Sequence, residues 1–564
     1  MRYSCTTNQC AINPSCGIRY IIRDLIQKYL WYYIEIVSET RGFVKLRIRQ
    51  RLKIFILIWP AVIFGCNLPA PVFYSQDISP RNVRETLQAQ DFGSTLTPDP
   101  QNTITEDAVS SEPTQTQGSS SWSVPKPIQN PTTGYWEYTT QSGDTLGGLA
   151  LRFDVEQADI IATSELPAAG LIPAGLPLLI PNTIGNPPYA AALLPDSEVV
   201  FSPAAKEFDI AGYIQGQGGY LSTFQELVDG ETISGAEIVS LVAADFSINP
   251  RLLLAFLEYR SGWVLAGSIE RSDEDYPLGF RVPGYRGLYY ELGFAASKLN
   301  IGYYGWRSGE LTELTFQDQS KVRINPILNA GSVAVQHLFA KLYDQAPWEG
   351  ILYRESGFTQ LYQEMFEDPW SNPVQNQQIF PVDIAPPALE LPFPPGERWS
   401  FSGGPHYAWN TGTPRGGLDF APVTGEPPCA TSRAWATTVA GGQIVRSSRN
   451  VVVLDLDGDG YEQTGWVVLY LHIADEDRIP KGAMVSVDEQ IGHPSCERGN
   501  STGTHVHIAR KYNGEWLPAG DPLPFSLSGW KIEVGERNYT GQLVKGEQVI
   551  ATNSLGTQST IIVR

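Results

Sequence analysis

Apolar positions change their spacing twice along this chain. From residue 196 to about 370 they gather in runs of helical length separated by Gly-rich turns: Ile238 to Phe246, Pro250 to Tyr259, Tyr289 to Leu299 and Ala330 to Tyr343. Such runs predict a mostly α region, placed at 185–385. Further on, shorter β-branched and apolar segments such as VVLYLHIAD and THVHIARKY predict an all-β, antiparallel region at 386–564. Earlier, two short strand-like ends, Tyr138 and Leu178 to Ile180, enclose two helix-length segments. The first would carry Leu146, Leu149 and Ala150 behind a cap at Asp144 or Thr145, and the second would run from Val155 to Thr163. A small βααβ unit at 134–184 is expected.

The segment before these three regions reads differently. Lys45, Arg47, Arg49, Arg51 and Lys53 precede an apolar stretch from Ile54 to Gly65 that is interrupted by Pro60. The stretch falls well short of the roughly 20 residues that span a bilayer, so it predicts an export signal within 1–66. It ends in Ile63-Phe64-Gly65-Cys66, which resembles a bacterial lipoprotein signal and implies a lipid on Cys66. Phe64 is bulkier than the small residue usual there, so free secretion stays open beside the anchored form. A leader of 43 residues is unusual, and a start at Val44 is the alternative. Residues 67–133 are rich in Ser, Thr, Pro and Gln, which cannot bury enough apolar surface to fold, and are expected to form a disordered linker.

Composition narrows the functional classes. A chain of 564 residues exceeds what one hydrophobic core fills. A formal net charge of -20 excludes a nucleic-acid partner, which needs clustered Lys and Arg. Among six cysteines, Cys5, Cys10 and Cys16 lie near the start and Cys66 follows the apolar stretch, whereas Cys429 and Cys496 stand apart late in the chain. An exported region could bridge that last pair.

The segment YTTQSGDTLGGLALRF, with its Ser142 to Leu146 start, and the Leu179-Ile180-Pro181-Asn182 end resemble a LysM module. That resemblance implies binding to N-acetylglucosamine-containing glycans and hence to peptidoglycan. In the helical region, Glu258 in LLLAFLEYRSGWV faintly resembles the acid of lysozyme-like lytic transglycosylases, as does Asn329-Ala330-Gly331. Tyr259 and Arg260 stand where that family usually has Ser, and a solvated pair with Arg260 is the plainer reading. His337, in an Ala- and Val-rich helix, reads as structural.

Five of the six histidines fall between 406 and 507. A catalytic zinc site takes three imidazole or carboxylate ligands and keeps one position open. In a strand, His505 and His507 face the same side, and so would Tyr470 and His472. These Y-x-H and H-x-H strands resemble the lysostaphin-type zinc metallopeptidases. The common H-x-x-x-D spacing would require a ligand at Arg415, which cannot bind metal. His406, however, precedes Asp419 by thirteen positions in FSGGPHYAWNTGTPRGGLDFAP, the spacing of the beta-lytic branch. The resemblance implies His406, Asp419 and His507 as zinc ligands and His472 and His505 as catalytic histidines. His493 reads as a surface residue. Asp455, Asp457 and Asp459 in VVVLDLDGDGYEQTGW resemble the start of an EF-hand loop, but Trp466 stands where the bidentate Glu is expected. A calcium-bound hairpin and a plain acidic turn both remain open.

The expected function is a zinc-dependent endopeptidase of peptidoglycan cross-links. The wall would be gripped through its glycan by LysM and through its peptide stems by the zinc site, with membrane contact only through an anchor at Cys66. A weakly catalytic wall-binding or activator protein, and a bifunctional hydrolase with a glycan-cleaving middle region, are the alternatives.

Overall fold

A computed structural model describes residues 129–130, 134–267, 273–499 and 501–564, all within one compact unit. The leader, the signal stretch, Cys66 and almost all of the expected linker lie outside the described residues. Among the described residues, no helix is long and apolar enough to cross a membrane.

The first part is a small antiparallel sheet with one helix. Strands β1 (Gln129–Asn130), β2 (Tyr135–Thr139), β3 (Ile161–Ala162) and β4 (Pro177–Pro181) lie in the order β1-β2-β4-β3, with Tyr138 opposite Leu178. Helix α1 (Leu146–Phe153) is capped by Thr145, whose hydroxyl accepts from the Gly148 amide. Asp144 does not cap it. Its buried carboxylate accepts from the Tyr138 hydroxyl at 2.7 Å and the Gln141 amide at 2.7 Å, and pairs with Arg152. Trp136 and Tyr138 pack edge-on against Phe153 to fill the core. The second predicted helix does not form. Asp154 turns left-handed at φ 57°, only a 3-10 turn follows at Gln157–Asp159, and Ile161 and Ala162 pair instead with the open edge of β4. For β-branched Ile161 an available strand edge outcompetes a short helix.

The next part is helical: α2 (Ile210–Gln217), α3 (Gly235–Phe246), α4 (Pro250–Ser261), α5 (Leu288–Ser308), α6 (Ala330–Ala340), α7 (Gln345–Tyr353) and α8 (Phe358–Phe366), with hairpins β5 (Gln225–Val228)–β6 (Glu231–Ser234) and β7 (Glu313–Thr315)–β8 (Lys321–Arg323). Local signals set its limits. Ser234 and Glu237 form a capping box before α3, Pro250 opens α4 behind an Asn249 cap, and left-handed Gly262 ends α4.

The last part is built on a nine-stranded sheet. Its strands are β9 (Arg398–Tyr407), β10 (Arg415–Pro422), β12 (Gly442–Ser448), β13 (Val451–Asp455), β14 (Trp466–Leu471), β15 (Met484–Val485), β17 (Val506–Tyr512), β18 (Glu515–Trp516) and β23 (Ile561–Val563), ordered β15-β12-β13-β14-β17-β10-β9-β23 with β18 on β17. The pairs are antiparallel. Strands β11 (Ala436–Thr437) and β16 (Gln490–Gly492) pair separately, and β19 (Ser526–Leu527), β20 (Trp530–Val534), β21 (Gly541–Lys545) and β22 (Gln548–Ala551) form an appended sheet.

Alternation divides the large sheet cleanly. Leu418, Phe420, Val452, Leu454, Val468, Tyr470, Val506 and Ile508 fill a core on one face. Val451, Val453, Val467, Leu469, Leu471 and Ala509, on the opposite face, join the same core as the helices. Helices and sheet therefore share one hydrophobic interior. Buried ion pairs reinforce the junction: Asp245 of α3, fully buried, binds Arg446 at 2.6 Å and Arg498 at 2.5 Å. Arg307 of α5 reaches Asp196 at 2.8 Å, Glu515 at 3.1 Å and the Ser142 carbonyl, so one guanidinium touches all three parts.

A candidate metal centre on the helix-facing side of the sheet

Asp419 on β10 lies directly opposite His507 on β17, and Gly417 lies opposite His406 on β9. The β9–β10 register is interrupted three times around these residues. Those irregularities turn His406 toward Asp419 and His507, so that one ligand atom from each lies within 4.8 Å of the others. His406 Nε2 is 3.0 Å from His507 Nδ1 and 3.4 Å from Asp419 Oδ1, and His507 Nδ1 is 3.1 Å from Asp419 Oδ1. All three side chains are buried. Two glycines leave room for them. A Cβ on Gly417 would lie 2.2 Å from His507 Cε1, and one on Gly403 would lie 2.2 Å from Asp419 Oδ2.

Backbone carbonyls fix the imidazole tautomers. His406 Nδ1 donates to Gly404 O at 2.8 Å and His507 Nε2 donates to Ala408 O at 3.0 Å, because a carbonyl can only accept. His406 Nε2, His507 Nδ1 and Asp419 Oδ1 therefore all present lone pairs to one point. Three acceptors without a proton among them repel unless a cation sits between them. Two imidazoles and a carboxylate are the donor set that zinc takes, and the carbonyls are the supports such ligands use. The residues fit a zinc ion.

Electrostatics agree in direction. Burial, aided by His507 and His505 and opposed by Asp419, pulls the His406 imidazole down to about 4, so it is neutral and able to ligate at neutral pH. Burial pushes the Asp419 carboxyl up, but His406, His505 and His507 outweigh it and hold the group well below the usual carboxylate range.

The other two predicted histidines stand beside the triad. His505 Nε2 is 3.6 Å from Asp419 Oδ1, and its Nδ1 donates to Gly503 O at 2.7 Å. The His472 ring lies 4.5 Å from the His505 ring, and its Nδ1 donates to Glu497 O at 2.9 Å. Burial and the neighbouring His505 bring His472 down to about 3. Tyr470 and His472 do not share a face as the strand pattern predicts. β14 ends at Leu471 and His472 turns left-handed at φ 67°, while Tyr470 goes to the opposite core and accepts from the Val439 amide at 2.8 Å. Sequence reasoning missed Tyr539, whose ring stacks on His406 at 4.1 Å from the appended sheet. No local motif marks it.

Cys429 and Cys496 are bridged, with Cα atoms 5.0 Å apart. Glu258 is not in the site. Its carboxylate accepts from the Val264 and Leu265 amides at 2.8 and 2.9 Å, which closes the turn after α4. Nor does it pair with Arg260, which binds Leu278 O and the Tyr343 hydroxyl. His337 Nδ1 bonds Lys298 O, and His493 is half-buried against Trp435 with Nδ1 on Ala434 O. Asp455, Asp457 and Asp459 do converge. Loop amides of Asp457 and Gly460 bond Asp455, and Lys206 binds Asp459 at 3.0 Å. Glu462 turns away from that loop to Arg446 and Lys511.

A paired-histidine and carboxylate centre on an antiparallel sheet, flanked by two more imidazoles, is the equipment of a metal-dependent hydrolase. Comparison with known proteins sharpens the class. Residues 138–181 match the LysM domain and residues 192–380 match "LasA, N-terminal domain". The chain is homologous to Protease LasA of Pseudomonas aeruginosa, 26% identical over 370 residues that cover 62% of this chain and 80% of the relative. It is also homologous to the beta-lytic metalloendopeptidase of Achromobacter lyticus, 28% identical over 159 residues that cover 27% of this chain and 39% of the relative. Among solved structures, the M23 metalloprotease pseudoalterin matches at 24% identity with a TM-score of 0.26, covering 30% of this chain and 96% of that one.

Proposed function

We propose that this chain is a zinc-dependent endopeptidase that hydrolyses peptide bonds in peptidoglycan cross-links and is held on the wall by its LysM module. The observation that carries the reading is the convergence of His406 Nε2, His507 Nδ1 and Asp419 Oδ1 on one point, with His505 and His472 alongside. Homology to a protease and a metalloendopeptidase supports the reaction class, and the LysM match supports the substrate. Secretion, or an anchor at Cys66, would bring the chain to that substrate.

His406, Asp419 and His507 would hold the zinc, which when bound supplies a Lewis acid for the scissile carbonyl and makes an attacking water available at neutral pH. His505 has its Nδ1 proton committed to Gly503 O, so its Nε2 is the acceptor for the proton leaving that water. The same proton then passes to the departing amine. His472, neutral and with Nδ1 bound to Glu497 O, also offers Nε2 only as an acceptor. That suits it to orient the water by its second hydrogen, and not to donate to an oxyanion. LysM binding raises the effective concentration of cross-links at the site.

The test is mass spectrometry of muropeptides released from purified peptidoglycan by wild type and by His507→Ala. Wild type should release peptide-cleaved products and the variant essentially none. Equal release by both would refute the zinc-peptidase reading, and products cut only in the glycan would move the activity to the helical region.

A further inference from the structure

The Cys429–Cys496 bridge sits among the groups that aim the two histidines outside the metal triad. On one side, Ser495 holds the His472 carbonyl through its amide at 2.8 Å and its hydroxyl at 3.0 Å, while Glu497 O receives His472 Nδ1. Residues 495 and 497 flank the bridged Cys496 directly. On the other side, the Ser501 hydroxyl contacts Cys496 Sγ at 3.3 Å and His505 Nδ1 at 3.4 Å, and Ser495 pairs in the backbone with His505. The bridge's far end is tied in too: Ala430, next to Cys429, accepts from the Thr504 hydroxyl at 2.6 Å, one residue before His505. None of the three triad residues takes a hydrogen bond from these groups. His406 and His507 lean instead on Gly404 and Ala408.

We propose that the Cys429–Cys496 bridge is a positioning element for His472 and His505. It anchors the 495–497 and 501–505 segments so that both rings keep their Nδ1 atoms on backbone carbonyls and their Nε2 atoms toward the reacting water. Glycines at 499 and 503 leave this stretch little stiffness of its own. Opening the bridge should disarm the histidine pair while the triad still loads zinc. The proposal rests on the peptidase reading above.

The experiment uses the full chain. Wild type, the double variant Cys429→Ser/Cys496→Ser, and wild type reduced under native conditions with a phosphine are compared for bound zinc, thermal unfolding, and kcat and KM on purified peptidoglycan. The expected result in both bridge-open forms is a kcat lower by ~10- to 100-fold, with zinc content retained and KM near the wild-type value. Unchanged kcat overturns the proposal. So does loss of zinc or of cooperative unfolding in both bridge-open forms, since the bridge would then be merely structural. If the double variant alone fails to fold, the reduced wild type decides. An inactive wild type sinks the peptidase reading and this proposal with it, whereas an active wild type with equally active bridge-open forms sinks only the proposal.

Discussion

Replacing Gly417 with Ala tests the candidate metal centre without changing any of its proposed ligands. The added Cβ would lie 2.2 Å from His507 Cε1, 2.9 Å from His507 Nε2 and 2.9 Å from Tyr407 O. Carbon atoms rest at about 3.5–4.0 Å, so the imidazole must retreat by more than ~1 Å. Zinc-ligand distances tolerate about 0.2 Å. His507 cannot take up that displacement and remain a ligand, and its hydrogen bond to Ala408 O, which fixes the tautomer, is strained as well. Zinc affinity should fall by roughly 100-fold or more, which is about 2.7 kcal/mol. The apo-protein should lose ~1–3 kcal/mol from overpacking. Affinity is read by competition with a chromophoric chelator, and stability by urea unfolding of the apo-protein. Gly216→Ala, in α2 with nothing within 4 Å of its Cβ, serves as the control and should bind zinc as wild type does. Wild-type zinc affinity in Gly417→Ala would refute the assignment of His507 as a ligand held by this cradle.

Three further outcomes follow from titratable groups enclosed by the fold. His406 and His472 lie at about 4 and about 3 in the fold, below ~6.5 in the unfolded chain, so the stability they contribute is complete above pH ~6.5 and lost as pH falls toward their folded values. For the apo-protein His406 alone accounts for about 3 kcal/mol of that loss; urea midpoints between pH 7.5 and 4 should fall, less steeply in His406→Gln, and a flat profile would contradict the burial argument. Asp245→Ala strips Arg498 of its carboxylate and leaves Arg446 with Glu462 alone, and should cost ~3–5 kcal/mol by urea unfolding; a change below 1 kcal/mol, roughly the scale of an exposed pair, would mean that water reaches the junction. Glu258→Gln should leave the muropeptide products unchanged while lowering stability by ~1–3 kcal/mol, and the disappearance of a glycan-cleaved product would restore the lytic reading.

The residue types of the candidate site were more legible in the sequence than the geometry that brings them together. Ligand chemistry marked six candidates between 406 and 507 and strand alternation put 505 and 507 on one side, whereas the choice of His406 and Asp419 rested on the resemblance to the beta-lytic spacing. What sequence could not show depends on single backbone torsions and on empty space. His472 leaves the Tyr470 face because one residue turns left-handed at the end of β14. Gly403 and Gly417 matter for the side chain they lack, and Tyr539 arrives from a sheet more than thirty residues beyond His507 with no periodicity to announce it. The second helix of the first module failed for a related reason: a neighbouring strand edge, invisible locally, claimed Ile161 and Ala162.

Region types were equally readable, but their union was not. Helical runs and β-branched runs separate near residue 385 by composition, yet the interior is continuous across that point, since Val453, Leu469 and Ala509 of the sheet pack into the helices' core. The alternation that sends Val506 and Ile508 to the far core also sends His505, His507 and Ala509 to the near one. The candidate metal centre and the helical region therefore occupy the same face of one sheet. Their proximity is visible in Arg498, which binds Asp245 of α3 while lying 5.2 Å over the ring of Trp409, three residues beyond His406. A helical region that supplies both half of a hydrophobic core and a buried carboxylate to a loop beside the candidate ligands is part of the architecture that holds the site, and not a spacer ahead of it.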